Sequence, residues 1–182
     1  DQAIPVYRVS GNHDVGGAPT VDALRAYRKT FGPDWYSFTH DDVHGIILNS
    51  SLFHGPQNAP TEAAAQLVWL KEELARAQAS GAKHLLVFQH HPFFVAAADE
   101  PDDYFNLPIE GRSEVLALLK NAGVEAVFAG HYHRNALARD GELEMITTGA
   151  VGTPLGDDPS GFRIVRVTSD GIEHDYFAIA ED

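Results

Sequence analysis
The chain contains no cysteine, which excludes disulfides and thiolate metal sites but assigns no compartment. Methionine is almost missing as well. Met145 is the only one and the sequence begins at Asp1, so the expectation is a processed chain or part of a longer one, with any targeting segment upstream. Basic residues are scarce: 13 Lys and Arg stand against 26 Asp and Glu, for a formal net charge of −13. That balance excludes a general binder of nucleic acid or anionic membrane, which would be repelled. An acidic surface still permits a phosphate substrate, because metal ions supply positive charge locally. No apolar run approaches the ~20 residues of a membrane-spanning helix. Repeats, low-complexity tracts and linkers are also lacking. What remains is 182 residues, 44% hydrophobic and 21% charged, enough for one domain, residues 1–182, with a sizeable core.

The apolar run Ile4–Val9 reads as a strand entering a Gly-containing loop, Ser10–Pro19. Thr20 is placed to cap a helix ending near Phe31-Gly32. Trp35–Thr39 and His44–Asn49 read as a strand pair across Asp41-Asp42. Thr61 is placed to cap a second helix, in which Ala63, Leu67, Leu70, Leu74 and Ala77 recur at helical spacing before Gly81. His84–Gln89 is a buried-looking strand running into His90-His91-Pro92. A polar loop, Asp99–Pro108, precedes a third helix over about 112–121, stopped by Gly123. Val124–Ala129 is another apolar strand. Beyond it, Leu143–Thr148, Phe162–Thr168 and Ile172–Ile179 read as strands, with Asp-Gly pairs at 140–141 and 170–171 as turn signals. Strands alternating with helices, then strands alone, predict a sheet-based α/β sandwich with helices outside.

Three apolar strands end within a few residues of a histidine or asparagine. Ile4–Val9 leads to Asn12-His13-Asp14, His84–Gln89 to His90-His91, and Val124–Ala129 to His131-x-His133. In an open α/β sheet such strand ends share one rim, where ligands bind. Each cluster alone also has a bland reading. Asn-His-Asp serves turns, His-His-Pro can simply end a strand, and His-x-His can sit on the surface of an extended segment. Jointly they point to one site, whose imidazole and amide donors suit Mn, Fe or Zn better than Ca or Mg.

Gly11-Asn12-His13-Asp14, His90-His91-Pro92 and Gly130-His131-Tyr132-His133, in that order, resemble the calcineurin-like metallophosphoesterase superfamily over essentially the whole chain. Gly11–Gly16, Asp102–Pro108 and Ala129–Ala136 further resemble its calcineurin-like phosphoesterase domain-containing subfamily of Ser/Thr protein phosphatases. The resemblance implies a four-layer α/β/β/α sandwich and a binuclear hydrolase cleaving a phosphomonoester, such as phosphoserine or phosphothreonine. Asn12, His90 and His131 would hold the second of two divalent or trivalent ions (Mn, Fe or Zn), and His133 would bind the first. His90 is favoured over His91 as the first residue of His-x-Pro. A metal-bound hydroxide would attack phosphorus in line. His13 would assist the leaving oxygen, with Asp14 orienting its ring. Asp102, Asp103, Tyr104 and Asn106 would form a wall of the substrate cleft. Arg134, next to His133, is read either as a partner of a phosphate oxygen or as half of a surface ion pair. The other histidines, His40, His44, His54, His84 and His174, read as surface or structural.

The sequence also departs from the family pattern. Asp-x-His and Gly-Asp, which supply most ligands of the first metal, belong ahead of Gly11 and are not found there. Asp42-Val43-His44 and Gly156-Asp157 match as letters but come too late in the chain. The expectation is that about two strand–helix units, roughly 60 residues, belong upstream. Residues 1–182 alone would then hold at most one ion weakly. The rival readings are a phosphodiesterase of cyclic nucleotides or lipids, and an inactive binding remnant.

Overall fold
A computed structural model describes residues 4–179. The centre is a six-stranded sheet of β1 (Tyr36–His40), β2 (Val43–Ile47), β3 (His84–Phe88), β4 (Ala126–Ala129), β5 (Ala136–Asp140) and β6 (Leu143–Thr147), in the order β1-β2-β3-β4-β6-β5. The four inner strands are mutually parallel, and β1 and β5 flank them antiparallel. A second, two-stranded sheet is the hairpin β7 (Gly161–Thr168) and β8 (Gly171–Ala178). Both Asp-Gly pairs sit at hairpin turns, as expected. β5 was not anticipated; its five residues are all intermediate or exposed, so no apolar run marks it.

Side chains alternate across the sheet, so each central strand feeds two cores. Leu85 and Val87 of β3 face α4 (Pro60–Ser80) and α5 (Ile109–Ala122), in a cluster with Leu70, Leu74, Val115 and Leu119. Leu86, Phe128 and Ile146 face the opposite way and pack with Val165, Val167 and Ile172 of the hairpin. Helices, sheet and hairpin are three of the four expected layers; the described residues form no helix layer outside the hairpin. Leu119 is fully buried, and truncating such a residue to Ala costs about 2–5 kcal/mol.

Local signals explain most boundaries. Thr20 caps α2 (Val21–Phe31) through its side chain, which accepts from Ala23 N at 3.2 Å. Gly81 and Gly123 end α4 and α5 in the left-handed region, as read. Thr61 is not a cap, because α4 starts with Pro60, whose missing N–H costs nothing in a first turn. α5 likewise starts earlier than the sequence suggested, at Ile109 after Pro108.

Ile4–Val9 is corrected. It forms no strand and pairs with none among the described residues, and Ile4 and Val6 are 88% and 68% exposed. Its anchors are Tyr7, stacked on Phe38 at 3.8 Å between ring centroids, and Arg8, whose N–H donates to Tyr36 Oη at 2.7 Å. No helix among the described residues is long and apolar enough to cross a membrane.

Candidate metal centre
Because β2, β3 and β4 run parallel and in register, with Ile47 opposite Phe88 and Phe88 opposite Phe128, their carboxyl ends open on one rim. Asn49-Ser50, His90-His91 and Gly130-His131 leave from that rim. The Gly130 amide donates to the His90 carbonyl at 3.0 Å and ties two of these ends together. Asn12 arrives from α1 (Asn12–Val15), a single helical turn not expected from the sequence.

Gly11 allows the approach. A Cβ there would lie 3.1 Å from His90 Nδ1, tighter than ordinary van der Waals contact. Asn12 Oδ1 is 2.8 Å from His90 Nε2, and His131 Nδ1 is 3.2 Å from the same nitrogen. These are the three residues assigned to one ion from the sequence, and the fold brings them together.

Proton inventory decides what the cluster is suited to hold. The Tyr104 carbonyl only accepts, so His131 Nε2, 2.9 Å away, must carry the proton and leave Nδ1 as a bare lone pair facing His90. The Thr153 carbonyl, 2.6 Å from His133 Nδ1, likewise leaves His133 Nε2 bare. A histidine whose second nitrogen is bound to a backbone carbonyl has the usual arrangement of a metal ligand. Only one proton, on His90 Nε2, is available among three converging acceptor atoms. A cation fits that donor set better than hydrogen bonds do.

Electrostatics agree. Burial, and then the neighbouring His131, push His90 down to about 4. Burial also pushes His91 and His131 down, and for His131 it outweighs the opposing bond to the Tyr104 carbonyl. The imidazoles are therefore neutral near pH 7, the form that ligates. His131 and His133 have positive φ, 62° and 56°, uncommon for residues with a Cβ. Such backbone strain concentrates at functional sites.

His91 was set aside in favour of His90, yet one ring nitrogen each of His90, His91 and His131 lie within 4.8 Å of one another. His91 is fully buried, with its backbone N–H donating to Ser50 Oγ at 2.8 Å and its Nδ1 2.9 Å from the same oxygen. Its ring packs 4.3 Å from that of His131 and 4.8 Å from that of His54. His91, Ser50 and His54 thus form a buttress that sequence reading missed. The doubled histidine was the available signal for it.

Other expected residues fall in different places. His13 is exposed beside the cluster. Asp14 does not orient it through a hydrogen bond; Asp14 Oδ2 accepts from Gly11 N at 2.8 Å and closes the turn that carries Asn12. Tyr104 is exposed, with its ring 5.0 Å from His131. Asn106 is buried, and its side chain is engaged within its own loop. Its amide donates to Glu100 Oε1 and the Pro101 carbonyl, and its oxygen accepts from Asp103 N. Arg134 lies with its guanidinium 4.8 Å above the Tyr132 ring. Of the remaining histidines, His44 and His84 are buried against Glu73 and Glu125, as structural residues. A surface cleft of about 460 Å³ between β1, β3 and the hairpin contains none of the site residues.

A sequence model of the family Calcineurin-like phosphoesterase matches residues 1–135. The serine/threonine-protein phosphatase CPPED1 of Pongo abelii is 42% identical over 182 residues, covering 100% of this chain and 58% of its own length. The chain therefore spans a little over half of the curated relatives it matches. Among solved structures, GAP50, described as the anchor in the inner membrane complex of Plasmodium, superposes with a TM-score of 0.65 at 17% identity, covering 80% of this chain and 50% of its own. A purple acid phosphatase from yellow lupin gives 0.50 at 21%, covering 70% and 24%. Both likenesses concern the fold alone.

Proposed function
The chain belongs to the calcineurin-like phosphoesterase family, and on that premise we propose that the protein containing it is a metal-dependent phosphatase of phosphoserine or phosphothreonine in proteins. One observation carries the metal dependence: Asn12 Oδ1, His90 Nε2 and His131 Nδ1 converge at 2.8 and 3.2 Å with at most one proton to share between the two contacts. The phosphoprotein substrate rests on the name of the CPPED1 relatives.

Asn12, His90 and His131 would hold one ion, and His133 Nε2 would be a donor to another. The carboxylates that the family pattern places ahead of Gly11 are not among residues 1–182. Bound ions of this kind polarise the phosphoryl group and lower the pKa of water to neutral values. The chain's own residues do the rest. Asp14, by holding Gly11 N, fixes the turn from which Asn12 and His13 project. His13, exposed and next to Asn12 in the chain, would hand a proton to the departing serine or threonine oxygen. His91 and Ser50 keep the His131 ring from turning away.

The test is a substrate panel on the full-length protein with Mn²⁺, comparing phosphoserine and phosphothreonine peptides, a cyclic nucleotide and a lipid phosphodiester. Turnover confined to the phosphomonoesters, abolished by chelation and restored by Mn²⁺, is expected. Turnover of a diester alone would replace this reading, and metal-independent turnover would end it.

A further inference from the structure
Beside the metal centre lies a second cleft of about 380 Å³, with Arg134, Tyr132 and Phe105 among its walls and none of Asn12, His90 or His131. Phe105 connects the two, since it lines the cleft and its ring lies 6.0 Å from that of His131. Arg25, Arg28, Arg76, Arg139 and Arg166 each pair with a carboxylate. Arg134 makes no ion pair among the described residues. Its guanidinium lies 4.8 Å over Tyr132 and 5.7 Å from the Phe105 centroid. On the other side Gly156 packs so closely that a Cβ would stand 3.2 Å from Arg134 Nε. The turn behind is pinned in place, since Leu155 N donates to the His133 carbonyl at 3.0 Å.

Arg134 is therefore held in position before any ligand arrives, so little side-chain entropy is lost on binding. Glu100 and Asp103 also line the cleft, but neither forms an ion pair with Arg134, and their oxygens are turned to other donors. Both Glu100 oxygens are taken by the amides of Val95, Ala96 and Ala97 and by Asn106. One Asp103 oxygen accepts from Phe105 N. Both carboxylates keep their negative charge, so they oppose a phosphate dianion more strongly than a singly charged anion at the guanidinium. A planar carboxylate matches the guanidinium fork.

We infer that Arg134 is a specificity residue, whose guanidinium receives an Asp or Glu side chain flanking the phosphorylated residue of the substrate. This deepens the phosphoprotein reading above and replaces the expectation that Arg134 binds the reacting phosphate.

The experiment uses the full-length protein and two peptides carrying a non-hydrolysable phosphonate analogue of phosphoserine, one flanked on both sides by Glu and one by Gln. Binding is followed by fluorescence anisotropy. The native protein is expected to bind the Glu peptide about tenfold more tightly, the scale of one charge-assisted contact. Arg134→Gln should bind both alike, and Arg134→Lys should lie between. Equal binding by the native protein, or a preference that survives in Arg134→Gln, overturns the inference. The native-protein arm stands even if a variant misfolds. Binding preference without hydrolysis of any phosphoester would keep the inference and end the phosphatase reading; hydrolysis without preference would do the reverse.

Discussion

His131 Nε2 lies 2.9 Å from the Tyr104 carbonyl, and this bond turns the opposite nitrogen, Nδ1, into a lone pair 3.2 Å from His90 Nε2. The loop after β3 thus sets the tautomer of a histidine after β4. Loosening that loop should weaken metal binding without touching a ligand. Glu100 is its clasp, accepting from Val95, Ala96 and Ala97. Burial pushes the Glu100 carboxyl up, but these bonds and that from Asn106 outweigh it and hold it below its usual range. In Glu100→Gln the amides of residues 95–97 should exchange with deuterium about tenfold faster, and metal affinity should fall by about 10-fold or more. Unchanged exchange would show that the loop holds itself.

Gly11→Ala is a sharper test of packing. The Gly11 backbone, at φ −106° and ψ 171°, accepts any residue, so the added Cβ against His90 Nδ1 is the only new feature. The variant should unfold at the native denaturant midpoint, yet bind metal about 10–100-fold more weakly, as other disturbances of ligand orientation do. Native metal affinity would mean that His90 can shift freely.

These two cases show what the sequence made legible. The clusters holding Asn12, His90 and His131 could be read because each comes shortly after an apolar run, and the resemblance to the family's motifs then singled out these three as ligands of one ion. The tautomers could not be read, since they depend on carbonyls of Tyr104 and Thr153, distant in sequence and silent as residue types. Asn106 misled for a related reason: a polar residue on a polar loop looks available for ligand, and only its burial shows that its amide is already engaged. Ile4–Val9 has the composition of a strand, but a strand also needs a partner, and none is present among the described residues.

His13→Ala in the full-length protein should lower turnover by ~10²–10⁴-fold, the usual contribution of a positioned acid. Metal content measured by elemental analysis should stay at the native level. Loss of metal together with turnover would make His13 a ligand and remove its assigned role.

The His44–Glu73 pair should leave a signature in acid stability. Burial raises the Glu73 carboxyl, but side-chain bonds from Ser37, Arg76 and His44 outweigh it, so its folded pKa lies below the unfolded one. A depressed carboxylate stabilises fully above its unfolded pKa, about 4.3, and the contribution fades as pH falls through the folded value. Glu73→Gln should therefore be less stable than the native protein at pH 7 by about 1–3 kcal/mol, with the gap closing below about pH 4. A gap independent of pH would assign the effect to packing.

The most direct test is anomalous diffraction at the metal edge from crystals of the full-length protein grown with Mn²⁺ or Zn²⁺. A peak is expected at bonding distance, about 2.0–2.2 Å for Zn²⁺, from Asn12 Oδ1, His90 Nε2 and His131 Nδ1 together, with His131 Nε2 still within hydrogen-bond distance of the Tyr104 carbonyl. A peak elsewhere, with those three atoms still 2.8 and 3.2 Å apart and no metal between them, would contradict the account.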